Sequence, residues 1–198
     1  GDAGFSKKNP QASQWSYYYS MPRLKGVGEL KIENESIRIK QASVWFDHEF
    51  FHSKLNTQEN SAYQQSIGSS FVGWDWFALQ LNNKQNIMLA RVRGKKGKKN
   101  DYFFGTLSDE NGKQLTLNES DFKLKEIRYW KSPKTHITYP SVWQVQIPKI
   151  KLDVLITPTL KNQELKLKHL NQLRYWEGRC LVEGSHKGQA YIELVGYE

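Results

Sequence analysis

The 198-residue chain has a single cysteine, Cys180. No internal disulfide can form, cysteine usage does not report the redox compartment, and the thiol is expected to be an inert core group. No run approaches the roughly 20 apolar residues that a membrane-spanning helix needs. Gly1-Asp2-Ala3-Gly4 lacks the basic and apolar regions of a signal peptide. The chain is therefore expected to be soluble, and its abrupt polar start fits one trimmed of an export signal or of a whole preceding domain. Internal repeats and low-complexity tracts are missing, as are a phosphate-cradling glycine loop and a dinucleotide fingerprint. Ser66-Ile67-Gly68-Ser69-Ser70 supplies hydroxyls without a nucleophile-elbow pattern. Helix-compatible sequence is confined to Glu59 to Gln65 and Lys161 to Asn171, and Pro158 bars an earlier start for the second.

Acidic residues are the minority charge, 20 against 29 Lys and Arg, leaving a net charge of +9. That excess alone suggests an anionic partner such as nucleic acid or a membrane surface. Its distribution argues against nucleic acid, because much of it crowds into Arg91-Val92-Arg93-Gly94-Lys95-Lys96-Gly97-Lys98-Lys99. The glycines mark this stretch as a loop between apolar strands, a solvated hairpin tip with peripheral membrane contact as its functional alternative.

What is abundant is period-two alternation. Leu30 and Ile32 share one face, Ile37 and Ile39 share another, and Glu33-Asn34-Glu35-Ser36 between them supplies the turn chemistry of a hairpin. A second hairpin is predicted from Trp74 to Leu81 and Asn86 to Val92 around Asn82-Asn83-Lys84-Gln85. Further strands are predicted at Tyr102 to Leu107, Gln114 to Leu117, Phe122 to Trp130, Val142 to Ile147, Ile150 to Ile156, Trp176 to Val182 and Gln189 to Val195. About ten short strands with little helix predict an all-β antiparallel barrel, and closure is favoured because it removes exposed edges. Seven Trp, ten Tyr and nine Phe are too many large rings for surface decoration. They fill the core, or line a barrel mouth suited to an elongated apolar ligand.

Six ordered segments then carry a resemblance over almost the whole chain. They are Tyr17-Tyr18-Tyr19-Ser20-Met21-Pro22-Arg23-Leu24, Trp45-Phe46-Asp47-His48-Glu49-Phe50, Gly73-Trp74-Asp75-Trp76-Phe77-Ala78-Leu79-Gln80-Leu81, Tyr139-Pro140-Ser141-Val142-Trp143, Tyr175-Trp176-Glu177-Gly178 and Tyr191-Ile192-Glu193-Leu194-Val195-Gly196-Tyr197. Together they resemble the AttH-like, carotenoid 1,2-hydratase-related lipocalin-like proteins. The resemblance implies lipocalin-like antiparallel barrels, usually two in tandem, with this chain similar to the second half and the junction before it. Residues 1–60 would be the junction, able to pack on a preceding lipocalin-like domain, and residues 61–198 the barrel. Many bacterial members are described as predicted secreted hydrolases, which implies a periplasmic, secreted or cell-envelope location.

The family's carotenoid hydratases add water across an isolated C=C bond without a cofactor. Alkene protonation needs a carboxylic acid kept protonated by burial. Asp75, between Trp74 and Trp76, matches the family acid, and His48, preceded by Asp47, matches the histidine that would orient or activate water. The expected catalytic set is His48, Asp75 and Asp47. Two departures bear on it, since the hydratase pattern has a tryptophan where this chain has Phe50 and a tyrosine where it has Gly73. The structural alternative has Asp75 hydrogen-bonded near a strand end and His48 capping the barrel. Trp45, Trp74, Trp76, Tyr139, Trp143, Trp176 and Glu177 are the expected ligand contacts, with pairing to Arg174 or Arg179 the alternative for Glu177.

His48-Glu49-Phe50-Phe51-His52 also matches the zinc-protease pattern, which requires both histidines on one helix face. In strand-rich sequence the two would lie about 13 Å apart, so no metal or other cofactor is expected. His136, His169 and His186 sit in polar, loop-like sequence. Three readings remain open: an acid–base enzyme acting on an apolar small molecule, a carrier of lipid or isoprenoid type, and a structural barrel domain with an exposed apolar patch along the first 60 residues.

Overall fold

The computed structural model describes residues 3–8, 15–50, 71–95, 101–167 and 173–198, and these form two antiparallel sheets. The small sheet joins β1 (Phe5–Lys7), β2 (Trp15–Ile32) and β3 (Glu35–Phe50). Its hairpin closes tightly because Glu33 takes a positive φ of 53°, pairing Ile32 with Glu35. The strands run much further than the Leu30–Ile39 signal predicts, with register shifts near Met21 and Gly26. From Lys25 outward the hairpin is almost wholly exposed and projects as an arm.

The large sheet contains β4 (Phe71–Leu81), β5 (Asn86–Gly94), β6 (Tyr102–Ser108), β7 (Gln114–Asn118), β8 (Lys123–Lys131), β9 (Thr138–Ile147), β10 (Leu152–Pro158), β11 (Glu164–Leu167), β12 (Leu173–Gly184) and β13 (Gly188–Val195). Its order is β7-β6-β5-β4-β13-β12-β10-β9-β8, with β11 on the free part of β12. The result is the expected lipocalin-like all-β curl. Full closure by hydrogen bonds is not reached, since β7 and β8 form no ladder. A single 3-10 turn, Glu119–Asp121, joins them, and Leu117 and Phe122 on either side of it share the core.

Alternation decides what lies inside. Phe77, Leu79 and Leu81 of β4, Ile87 and Leu89 of β5, Val145 and Ile147 of β9, Val154 and Ile156 of β10 and Ile192 and Leu194 of β13 belong to one core cluster. Trp143, Tyr139 and Trp176 are buried in that cluster as well. All three, expected as ligand contacts, are thus packed among core side chains. Cys180 is fully buried there, its thiol pushed up to about 12 by burial, as an inert core group should be.

Two further expectations fail. Glu164–Leu167 is a strand paired with Leu173–Trp176, not part of a helix from Lys161. Arg91 and Arg93 are not in a solvated tip: both lie in β5 and turn inward. Glu59 to Gln65, Ser66 to Ser70, His52, Lys96 to Lys99 and His169 lie outside the described residues.

Candidate functional site

The inward residues of β4 include Asp75, which is fully buried. Arg91 donates through Nε to its Oδ2 at 2.6 Å, Arg93 lies 3.5 Å from the same oxygen, and the Tyr197 hydroxyl donates to Oδ1 at 2.7 Å. Arg91 also bonds Glu126 at 2.6 Å and lies over the Trp143 ring. Burial pushes the Asp75 carboxyl up, against the opposing charges of Arg91 and Arg93. Both its oxygens accept hydrogen bonds from protein donors, so the group works as the anion of a closed network at one end of the core.

Gly73 contributes to that closure. A side chain there would collide with the Val195 carbonyl and with Arg93, which bonds the carbonyls of Val195 and Gly196. The space of the tyrosine in the related hydratase pattern is thus taken by backbone and a guanidinium.

His48 is elsewhere. On β3 it alternates with Trp45, Asp47 and Glu49, so it faces away from the large sheet, its Nδ1 3.1 Å from the Tyr19 hydroxyl. Tyr19, Phe46 and Phe50 surround it, all more than 40% exposed. Phe5, Trp15 and Tyr17 extend this aromatic face. The structure therefore does not bring His48 and Asp75 together: one lies outside the small sheet, the other inside the large one. Asp47 to Phe50 is strand, which denies the metalloprotease pattern its helix. Among the described residues no cluster of His, Cys, Asp or Glu is arranged to hold a metal ion.

The remaining candidates meet between the sheets. Ladder register sets Glu177, Glu193 and Trp76 side by side on the outer face of β12, β13 and β4. The Trp74 indole N–H donates to Glu193 at 3.2 Å. From the hairpin, Trp45 meets Trp76 edge to face at 6.1 Å, and Trp76 donates to the Tyr18 hydroxyl at 3.1 Å. Asp47 accepts from Ser20 at 2.5 Å and from the Trp45 indole at 2.8 Å. Glu49 is held by Ser16 and Lys8.

Electrostatics follow from this crowding. Burial pushes Glu193 up to about 7, helped by the charge of Glu177 and opposed by the Trp74 N–H. Burial also raises Glu177 and Asp47. Glu177 pairs with neither Arg174 nor Arg179, but accepts from Tyr175 at 3.3 Å. The site thus unites Trp45, Asp47, Trp74, Trp76 and Glu177, and adds Glu193. Glu193 stands alone in an apolar run, and only strand pairing reveals its carboxylate neighbour. Of the loop histidines, His136 is exposed and His186 half-exposed.

The profile of the family described as AttH-like matches residues 1–197. The chain belongs to this family. It is similar to the crystal structure of an AttH candidate from Nitrosomonas europaea, with a TM-score of 0.81 and 29% identity. The match covers 100% of this chain and 57% of that one. It also shares its fold with kievitone hydratase from Nectria haematococca, at a TM-score of 0.74 and 21% identity, over 99% of this chain and 56% of that one. The AttH-like chain therefore spans little more than half the length of either. A search of curated proteins found no match.

Proposed function

We propose that this AttH-like chain binds an apolar small molecule between its two sheets and acts on it by cofactor-independent acid–base chemistry of hydratase or hydrolase type. The observation that carries the reading is Glu193, a carboxyl raised to about 7 beside the Trp74 indole. Near neutral pH such a group exists in both forms and can give a proton or take one back. In alkene hydration a proton adds to one carbon, positive charge develops on the other, and water attacks there and loses a proton. Glu193 would supply the first proton. Asp47 or Glu177 would receive the last, and the faces of Trp45, Trp74 and Trp76 would stabilise the developing charge. This reading moves the acid from Asp75 to Glu193 and leaves Asp75 the anchor of two arginines.

The test uses N-phenyl-1-naphthylamine, whose emission should rise as it quenches tryptophan on binding. Glu193→Gln keeps the shape and removes the proton donor. Probe binding should then change less than about twofold, while hydration of an isoprenoid alkene or hydrolysis of an aryl ester falls by roughly 100-fold or more. A parent that binds no probe, or a variant with full turnover, would overturn the proposal.

A second reading concerns the other side of the small sheet. The aromatic face around His48 and the exposed Val27, Leu30, Ile32 and Ile37 of the arm are costly to leave in water, and a two-stranded ribbon alone is marginal. We propose a lipocalin-like domain as their occupant. Support comes from the relatives, whose chains extend well beyond the matched part. Covered in this way, His48 would become part of an enclosed aromatic site.

A further inference from the structure

Like charges meet across the seam between the two sheets. On the barrel side, register sets Glu177 of β12 opposite Glu193 of β13, with Trp76 of β4 on the other flank of Glu193. On the hairpin side, Asp47 and Glu49 alternate with His48 along β3 and so turn toward the barrel. Trp76 links the two sides: it meets the Trp45 ring at 6.1 Å and donates to the Tyr18 hydroxyl at 3.1 Å, and that hydroxyl also bonds Asp47. The charges of Glu177, Glu49 and Asp47 all act on Glu193 in the same direction, favouring its protonated form.

The other charged and titratable groups at the seam do not offset this crowding. Lys8 pairs with Glu49 and lies over the rings of Tyr18 and Phe104. Arg179, next to Glu177 on the outer face of β12, leans away to the Gln189 side chain at 3.1 Å. Burial raises Tyr18, Tyr175 and Tyr191, so all three stay neutral up to pH 8. A carboxyl that is raised only while the seam is closed favours closure at low pH, and that contribution is lost as pH rises through its closed-form value, about 7 for Glu193. Among the described residues no backbone ladder crosses the seam. Repulsion there therefore acts on the hairpin before it acts on the barrel.

We propose that this seam is a proton-operated latch: with Glu193 protonated the hairpin lies closed on β4 and β5, and as Glu193 ionises beside Glu177 and opposite Asp47 the hairpin lifts and opens the space between the sheets. As a gate for substrate it rests on the function proposed above; as a latch it stands without it.

The chain's two methionines read the latch directly. Met88 is 4% exposed beneath Tyr18 and Trp45, whereas Met21 is 44% exposed on the hairpin's outer face. Peroxide converts methionine to its sulfoxide, and the ratio of the Met88 rate to the Met21 rate, followed by peptide mass spectrometry, cancels the reagent's own pH dependence. In the ligand-free chain this ratio should rise at least about tenfold from pH 5 to 8, while Cys180 in the barrel core stays unmodified. Glu193→Gln should hold the rise below about threefold. Glu177→Lys replaces the neighbouring anion with a cation, leaves Glu193 in place, and should move the midpoint of the rise to higher pH. Both variants should match the parent at pH 5, where the latch is closed in all three. A flat ratio in the parent would overturn the proposal, as would the full rise persisting in Glu193→Gln. Cys180 modified in step with Met88 would overturn it too, since that marks unfolding of the whole chain. No ligand is present, so the outcome is independent of whether Glu193 acts on a substrate.

Discussion

At the scale of single residues, Glu193 makes a signed prediction. Its folded value of about 7 lies above the ordinary 4.5, so between these two values the folded chain binds more protons than the unfolded one. Stability from this group is fully present below pH 4.5 and is lost as pH rises through 7. The loss is on the order of 3 kcal/mol at most. Urea melts should therefore show the parent losing stability from pH 4.5 to 8, with Glu193→Gln losing clearly less. Identical pH profiles would place Glu193 in water. The sequence holds only half of this residue's story. Its alternation with Ile192 and Leu194 predicts an outward carboxylate, but Glu177 and Trp76 become its neighbours through the ladders of β12, β13 and β4, which local pattern does not encode. Asp75 shows the reverse, since flanking tryptophans predict burial and say nothing of Arg91 and Arg93.

At the scale of elements, most strands were legible because alternation and turn residues are local signals. The lengths of β2 and β3 were not, since pairing carries them through polar sequence that alternation does not mark. β11 could have been read from Glu164-Leu165-Lys166-Leu167, whose period of two outweighs the helical propensity of its residues. Arg91 and Arg93 were hidden by the lysines and glycines after them, although alternation with Val92 puts them on the face of Leu89. The buried network they form ties β4, β5 and β8 to the tail through Asp75, Glu126 and Tyr197. Asp75→Asn removes the buried anion that Arg91 and Arg93 share, leaving Arg91 its pairing with Glu126, and should lower stability by about 3 kcal/mol, read as a drop in urea midpoint at constant slope. A loss below about 1 kcal/mol would show that the network is not what holds that end of the barrel.

At the scale of the whole molecule, the uncovered aromatic face sets the expected solution behaviour. Without its proposed partner domain the chain should self-associate at rising concentration. Tyr19→Ser with Phe46→Ser should suppress this in sedimentation experiments without unfolding the barrel, because both side chains point away from the large sheet. A parent that stays monomeric throughout would remove the case for a docking surface. The sequence displays these rings but not which face they share, because that depends on the register of a hairpin longer than its local signals.

Among the described residues the two sheets are held together by side chains, without a backbone ladder between them. Trp45 on Trp76, Tyr18 under Trp76, and the contacts of Pro22 and Arg23 with β4 and β5 form the joint. Hydrogen exchange should therefore resolve two cooperative units, the hairpin opening at a lower free energy than the barrel strands. A molecule lodged at the seam would act as a clasp, slowing exchange along the whole hairpin, including amides far from any contact with it. Entry would need no tunnel, only the ordinary breathing of one sheet away from the other.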